Sequence, residues 1–573
     1  MRFEVWAPKA ERAVEVEVDG ARHAMAAGER GWWTAEVDAA RAGSRYGFSV
    51  DGGDVRPDPR SPSQPDGVDG LSEVVDHDAF AWTDSGWRGV PLPSAVIYEL
   101  HVGTFTPEGT FDGVIAKLPH LVGLGVDVIE LLPVNEFPGE RGWGYDGADL
   151  FAPHHAYGGP DGLKRLVDAA HAAGVAVVMD VVYNHLGPAG NYLGEYGPYF
   201  TDKYETPWGM AVNLDDRDSD EVRRFFLDNA LLWLRDYHCD GLRIDAVHAL
   251  VDTSALHLLE EMAIEVEALS AAVGRHLFLI AESDLNDPRV VARREVGGLG
   301  MDAQWSDDFH HALHAVLTGE RSGYYGDFGS LGQLKTALER AFVYAGDYAP
   351  DRGRRHGRVP SGDIPGWRFL GYLQDHDQIG NRAVGERSSH LLDVEPLKVA
   401  AALVLLSPFV PMLFMGEEWG ASTPFQYFTD HPDAELGAAV SEGRRREFAS
   451  FGWAPEDVPD PQAEATFERS RLDWSEVGSG AHAELLAWHR DLIRFRRSRP
   501  ELTDGRLDRV EVQIDEDARH LTLRRGRVTV LVNLGDAPWD LSVSGKIVLS
   551  STSECPIASE VLKVPAQSVL VTD

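Results

Sequence analysis

Cysteine is nearly missing: Cys239 and Cys555 are the two in 573 residues. One bridge between them is arithmetically possible, but so few thiols in so long a chain point to a reducing compartment and exclude a disulfide-framed scaffold. Positive charge is scarce as well. Lys and Arg number 53 against 92 Asp and Glu, a formal charge of -39. Such a chain repels nucleic-acid phosphates and anionic lipid, which excludes both as partners and suits a neutral substrate. No apolar run is clean enough to span a membrane. The longest, residues 399–415, is interrupted by Ser407, Pro408 and Pro411, and predicts a buried helix, a loop and then a strand. The opening MRFEVWAPKA lacks the cationic segment and apolar core of a secretory leader. Internal repeats and low-complexity segments are missing too. Together these absences predict a cytoplasmic protein.

What is there is an ordinary globular composition, 43% hydrophobic and 25% charged. At about 150 residues per domain this length predicts two to four domains, each able to bury a core. Residues 1–90 carry short alternating runs, such as Val14-Glu15-Val16-Glu17-Val18, separated by Gly, Asp and Pro, and predict a small N-terminal β-sandwich. From Ala95 the texture changes. Near-continuous apolar runs (AVIYELHV, VDVIELLPV, VAVVMDVVYNH, DGLRIDAV, HLFLIAES, GMDAQWSDD, RFLGYLQDHD and VPMLFMGEEW) alternate with amphipathic helical stretches. Runs of that kind are strands buried on both faces, and about eight such units close a TIM (β/α)8 barrel, here predicted over residues 91–500. Residues 186–220, rich in Gly, Pro, Tyr and Asp, exceed an ordinary βα loop and predict a lid over the active site. Alternating runs return over residues 501–573 as a small C-terminal β-sandwich, so the fold class is α/β with a β domain at each end.

Four of the predicted barrel strands run into polar clusters. The third leads to Asp180, Asn184 and His185, the fourth to Arg243, Asp245 and His248, the fifth to Glu282, and the seventh to Asp375, His376 and Asp377. The carboxyl ends of barrel strands converge on one face, so these groups would share one site. A lone carboxylate there serves equally well as a rim ion pair or a helix cap; four clusters together do not reduce to that. Carboxylates with an arginine and histidines, and no Ser or Cys nucleophile, suit retaining glycoside hydrolysis. That reaction needs a carboxylate nucleophile and a carboxylic acid roughly 5 Å apart. Asp245 and Glu282 end neighbouring strands and can meet that spacing. Arg243 lies on the same strand face as Asp245 and would keep it ionised. Glu282 follows Leu279-Ile280-Ala281, where desolvation would keep it protonated as the general acid. Asp377 would bind sugar hydroxyls and help distort the ring.

The segments DVVYNH, GLRIDAVH, IAES and DHDQ resemble, in order, the four signature regions of the α-amylase superfamily, glycoside hydrolase family 13. The resemblance implies Asp245 as nucleophile, Glu282 as proton donor and Asp377 as transition-state stabiliser. It also implies that Tyr145, His185, Arg243 and His376 hold the sugar at the cleavage point, although a lone Tyr packs in a core as readily. Family members usually have Asn where this chain has Asp375. Further stretches, including YGPYFTDKYETPWG, DAQWSDDFHHALHAVLTGE and LQDHDQIGNRAVGER, are similar to the maltooligosyltrehalose trehalohydrolases of that superfamily. This implies maltooligosyltrehalose and related α-glucans as substrates, cleaved at the α-1,4 bond beside a terminal trehalose, and a maltooligosyltrehalose-forming enzyme as supplier. Asp307, Asp308, Phe309, His310 and His311 follow the sixth strand and are the candidates for reading the trehalose end, with His248, Gln378 and Asn381. Helix capping by Asp307 or Asp308 is the plain alternative.

No cofactor is implied, and no essential metal. His154-His155 and His310-His311 lack metal-binding spacing, and Asn184, at a calcium-ligand position of many amylases, lacks acidic neighbours and is expected to hydrogen-bond beside Asp180. Two other functions stay open on this sequence. One is a glucan-branching transferase, which shares the sandwich, the barrel and the catalytic trio. The other is a non-catalytic glucan-binding protein, which the presence of all three acids disfavours.

Overall fold

The computed structural model describes residues 1–207, 209–449, 453–541, 546–552, 557–558 and 561–573. Cys555 lies outside the described residues, and with it any pairing to Cys239, whose thiol is buried. The N-terminal strands form two antiparallel layers. Arg2–Trp6 pairs with Trp32–Glu36, and Val14–Val18 lies between Ala21–Ala24 and Arg45–Val50. The period-two pattern explains the layering: Val14, Val16 and Val18 face Phe3, Val5 and Phe48 in the core, while Glu17 turns out to meet Arg22.

Eight parallel strands close the predicted barrel: β1 (Ile97–Leu100), β2 (Val128–Leu131), β3 (Ala176–Val181), β4 (Gly241–Ile244), β5 (Phe278–Ala281), β6 (Ala303–Trp305), β7 (Phe369–Gly371) and β8 (Val410–Phe414), with β8 pairing back to β1. Alternate residues point inward. Ile97, Val128, Val178, Ile280, Leu370 and Met412 fill the barrel as one apolar cluster, and their neighbours pack outward on the helices. Two residues further up β1, β2, β3 and β5 the inward set turns polar, at Glu99, Glu130, Asp180 and Glu282, and Arg243 joins that layer from β4. An apolar floor beneath a charged roof puts the reactive groups in one layer at the carboxyl ends.

The C-terminal domain has a five-stranded antiparallel sheet, with Val528–Asn533 at its centre, and a three-stranded one, as predicted. Buried Arg525 ties it to the barrel by donating to the Leu406 and Ser407 carbonyls. The insertion after β3 departs from the expected lid. Of its residues only Leu186, Gly187 and Pro188 line the cleft. Beyond them Tyr196 donates to Pro57 O, Tyr192 to Asp69, and Lys9 to Gly194 O. The segment therefore binds the sandwich to the barrel, because its aromatic residues bury there rather than over the site.

The linker between these domains is stapled beneath the barrel. His171 Nδ1 meets Asp84 and Nε2 meets Asp240, each at 2.9 Å, with the Trp87 ring stacked 4.7 Å above. Burial pulls the His171 imidazolium down, but its two carboxylate hydrogen bonds outweigh this and raise its pKa. Asp84 is lowered to about 2, its partners His171 and His238 overcoming burial. A raised histidine stabilises fully below its unfolded value of about 6.5, and a lowered Asp above about 3.9, so the staple is complete between these limits. We expect His171→Gln to cost about 3 kcal/mol there, since it removes the cation between two buried carboxylates that keep only their other partners, His238 for Asp84 and Trp87 and Val177 N for Asp240. The deficit, read by chemical denaturation, should shrink as pH rises through the native His171 pKa.

Candidate active site

The roof of the barrel opens into a cleft of about 580 Å³, within the roughly 300–1,000 Å³ of small-molecule sites. Its walls bring together Tyr145, His185, Arg243, Asp245, His248, Glu282, His376, Asp377 and Asn381. At its centre lies the buried Arg243 side chain. Nη1 donates to Asp180 at 2.9 Å and to Asp245 Oδ1 at 2.8 Å, while Nη2 lies 3.3 Å from Glu282 Oε2. One planar cation thus spans both predicted reacting acids, and the Trp305 ring stacks 4.2 Å beneath it.

Asp245 is held at both oxygens, Oδ1 by Arg243 and Oδ2 by Asn184 Nδ2 at 3.0 Å. Asn184 takes the hydrogen-bonding place beside Asp180 that the sequence suggests: its amide donates to Asp245, and its oxygen holds His185 Nδ1 at 2.7 Å. Glu282 Oε2 accepts from the backbone N–H of Ala246 at 2.6 Å. Ala246 follows Asp245 in the left-handed region at φ +40°, a strained turn for alanine that brings its N–H to the neighbouring strand. Burial raises the Glu282 pKa, against the pull of Arg243. The two acids differ in surroundings: Asp245 is held at both oxygens by Arg243 and Asn184, whereas Glu282 meets Arg243 and the Ala246 N–H through Oε2.

Tyr145 and His376 stack at 5.2 Å, with Tyr145 Oη 2.7 Å from His376 Nε2 and 2.6 Å from Asp180 Oδ2. Asp377 Oδ1 accepts from Asn381 Nδ2 at 2.6 Å, and Asn381 Oδ1 accepts from Arg444 at 3.2 Å. Asp375 explains its own departure from the family's Asn. It caps the helix His376–Gly380 by accepting from the N–H groups of Asp377 and Gln378, and burial next to Glu99 raises its pKa well above the carboxylate range. The Gln378 amide lies 2.6 Å from Asp375 Oδ2. That amide donates to Oδ2, so the Asp375 carboxyl accepts from the Gln378 side chain as well as from the two backbone N–H groups. Gln378 is thereby turned away from the cleft, which corrects its expected sugar contact.

The sixth-strand cluster is the main correction. Phe309 is 0% exposed and packs on Phe409 in the core. Asp308 accepts from Val343 N, Tyr344 N and Asn286 Nδ2, pinning a loop. His310 spends both nitrogens internally, on Leu373 O at 2.7 Å and Tyr325 Oη at 2.8 Å. His311 is buried against Tyr324 and Phe328, and burial lowers its pKa to about 3. Asp307 accepts from Tyr372 Oη at 2.5 Å, and burial raises its pKa to about 8. All five lie on the first turns of one helix, Asp307–Thr318; the last four are buried, while Asp307 is half-buried and lies within the field of Glu282. The plain alternative, a helix start with Ser306 as N-cap and acids in the first turn, is what the structure has, although the Ser306 side chain makes no cap bond.

Trp143, Asp146, Tyr427 and Arg444 also line the cleft, although sequence reasoning did not single them out. Arg444 comes from the helix Ala434–Ala449, far along the chain and outside the barrel. A second pocket adjoins the first through Asn381 and is lined by Glu320, Tyr324, Tyr325, Arg382 and Trp453.

Among the described residues one trio, Glu136, His154 and His155, has the spacing of a metal site. His154 Nδ1 accepts from Ala156 N, so the ring proton sits on Nε2, the atom that would have to ligate. His155 Nδ1 already holds Glu136 at 2.7 Å. The trio is an ion pair beside a neutral imidazole, and its chemistry does not suit a metal.

Residues 63–205 match the family model for the alpha amylase catalytic domain, and residues 505–571 match a domain of unknown function, DUF3459. Malto-oligosyltrehalose trehalohydrolase of Mycobacterium tuberculosis is 52% identical, over 96% of this chain and 95% of its own. That of Saccharolobus solfataricus is 44% identical over 97% and 94%. A 1,4-alpha-glucan branching enzyme of Corynebacterium jeikeium is 33% identical over only 54% of this chain. Among solved structures, one from Salmonella typhimurium described as a candidate alpha amylase aligns at TM-score 0.92 with 40% identity, over 100% of this chain and 97% of that one. A pullulanase of Paenibacillus barengoltzii, at 0.72 and 19% over 100% and 93%, shares the fold alone.

Proposed function

The chain belongs to the malto-oligosyltrehalose trehalohydrolases of the α-amylase superfamily, and on that premise we infer that Asp245, Glu282 and Arg243 carry its reaction. It is a glycoside hydrolase that cleaves the α-1,4 bond beside the terminal trehalose of maltooligosyltrehalose. The observation that carries the residue assignment is the single guanidinium bridging Asp245 and Glu282.

An Asp245 oxygen attacks the anomeric carbon of the glucose preceding trehalose. Glu282 gives its proton to the glycosidic oxygen, the C–O bond breaks, and trehalose leaves with a hydroxyl at the former linkage. The maltodextrin is left as an ester on Asp245. Glu282, now a carboxylate, takes a proton from water as the water oxygen attacks the same carbon. The ester breaks, and two inversions give net retention. Arg243 keeps the nucleophile charged while Asp377 and His376 hold ring hydroxyls, supporting the positive charge that develops on the sugar.

The trehalose end needs contacts beyond the cleavage point. The adjoining pocket offers two exposed aromatic rings, Tyr324 at 42% and Trp453 at 36%. Their apolar faces suit a sugar ring, and Glu320 and Arg382 suit its hydroxyls. We expect Trp453→Ala and Tyr324→Ala to lower kcat/KM for maltooligosyltrehalose about tenfold each, the loss of roughly 1–1.5 kcal/mol of stacking. Plain maltooligosaccharides should lose less. Equal losses on both substrates would place the trehalose contacts elsewhere.

The pH profile follows from the two acids. kcat/KM should be bell-shaped, falling on the acid side where the nucleophile is protonated and on the basic side where Glu282 loses its proton. Because burial raises Glu282, the basic limb should lie above an ordinary glutamate's value of about 4.3. A profile without a basic limb would remove Glu282 from its role. The reaction that supplies the substrate is one that joins the reducing end of a maltodextrin as an α,α-1,1 link. A cytoplasmic site of action is supported by the scarcity of cysteine, and no described helix is long and apolar enough to cross a membrane.

A further inference from the structure

Two acids sit beneath the sugar-facing groups without reaching the cleft. Glu99 on β1 and Glu130 on β2 are level partners in the barrel register, and each is 1% exposed. A buried carboxylate costs several kcal/mol unless it is paired, and only one of these is. Glu99 Oε1 lies 2.5 Å from His376 Nδ1, and its Oε2 accepts from the His376 backbone N–H at 3.1 Å. Glu130 has no hydrogen-bond partner on either oxygen, and burial, with the charge of Glu99 added, raises its pKa well out of the carboxylate range. Of the two, only Glu99 has hydrogen-bond partners, and both are atoms of His376.

We propose that Glu99 is a positioning residue for the hydrolysis: it holds His376 doubly protonated, and so fixes the direction of the hydrogen bonds that run through Tyr145 and Asp180 to Arg243. With both ring nitrogens protonated, His376 Nε2 donates to Tyr145, Tyr145 donates to Asp180, and Asp180 anchors Arg243. With the proton on Nδ1 alone, Nε2 becomes an acceptor and competes with Asp180 for the single Tyr145 proton. Asp180 then loses a donor, and Arg243 loses part of the clamp that aims it at Asp245 and Glu282.

The other groups facing His376 agree. Asp377 flanks it on its own turn and Asp180 faces it from β3, both favouring the cation, while Asp375 on the same turn is raised well above the carboxylate range by burial. His101, the neighbouring imidazole, is lowered to about 4 by burial and adds no competing charge. Burial pulls His376 down as well, but Glu99 outweighs it and the pKa rises to about 10.

The proposal rests on the Asp245–Glu282 assignment. Its readout is the ratio of variant to native rates on any glucan the enzyme cuts, so it stands or falls separately from bond specificity. Glu99→Gln keeps the shape and removes the charge. We expect kcat/KM to fall at least about tenfold at pH 7.5, and to recover to within about threefold of native at pH 5.5, where an ordinary histidine is protonated. The basic limb should move down by about one unit or more. A loss of equal size at every pH, or no loss, would overturn the proposal. Should Glu99→Gln fail to fold, Glu99→Asp carries the test. It keeps the charge at shorter reach, and a basic limb shifted by about half a unit supports the proposal, whereas a native-shaped profile at any amplitude overturns it.

Discussion

Asp245→Asn is expected to fold and melt like the native protein and to lose about 10⁴-fold or more in kcat. The amide is nearly isosteric and can still meet Arg243 and Asn184, but it cannot attack the anomeric carbon. Glu282→Gln should lose as much on natural substrates and differ on one with a leaving group that needs no proton. With a glucosyl fluoride, Glu282→Gln should still form the ester on Asp245 and stall there, because no base activates water. Asp245→Asn should form none. Mass spectrometry of the two variants after mixing separates the roles, and an ester in Asp245→Asn would reassign the nucleophile.

Arg243→Met has the second largest expected effect, and it falls on stability and rate together. Asp180, Asp245 and Glu282 all meet this one buried cation. Removing it strands three carboxylates in a dry site, at a cost of about 3–5 kcal/mol. The surviving folded protein should turn over about 10³-fold more slowly, and the acid limb of kcat/KM should move to higher pH as the carboxylates lose their neutralising charge. Arg243→Lys should recover part of the stability and little of the rate, since an ammonium cannot span Asp245 and Glu282 with one plane. If Arg243→Met melted normally and kept a native pH profile, the electrostatic role given to Arg243 would be wrong.

The barrel was legible because each strand is a short apolar run in an α/β alternation, and closure at eight follows from the count. Asp245, Glu282, Asp377, His185, Arg243 and His376 were legible because they end those runs, and Tyr145 through the family resemblance alone. Position after a strand, however, does not say which way a side chain points. Asp308, Phe309, His310 and His311 follow β6 as the others follow their strands, but they lie on a helix whose start swings them into the core. Arg444 and Trp453 had no local signal at all, since they reach the cleft from a distant excursion. Glu99 and Glu130 did have one: a single acid inside AVIYELHV and inside VDVIELLPV, in phase with the inward apolar residues two positions earlier. An inward acid in a barrel strand marks the layer beneath the site.

The central claim is retaining hydrolysis at the bond beside trehalose, and proton NMR of the native enzyme acting on maltooligosyltrehalose tests it most directly. Trehalose should accumulate with an equal amount of maltodextrin whose new reducing end is first seen as the α anomer, with the β anomer growing in later by mutarotation. A new end first seen as β would exclude a glycosyl ester on Asp245, and a digest without free trehalose would contradict the bond assigned.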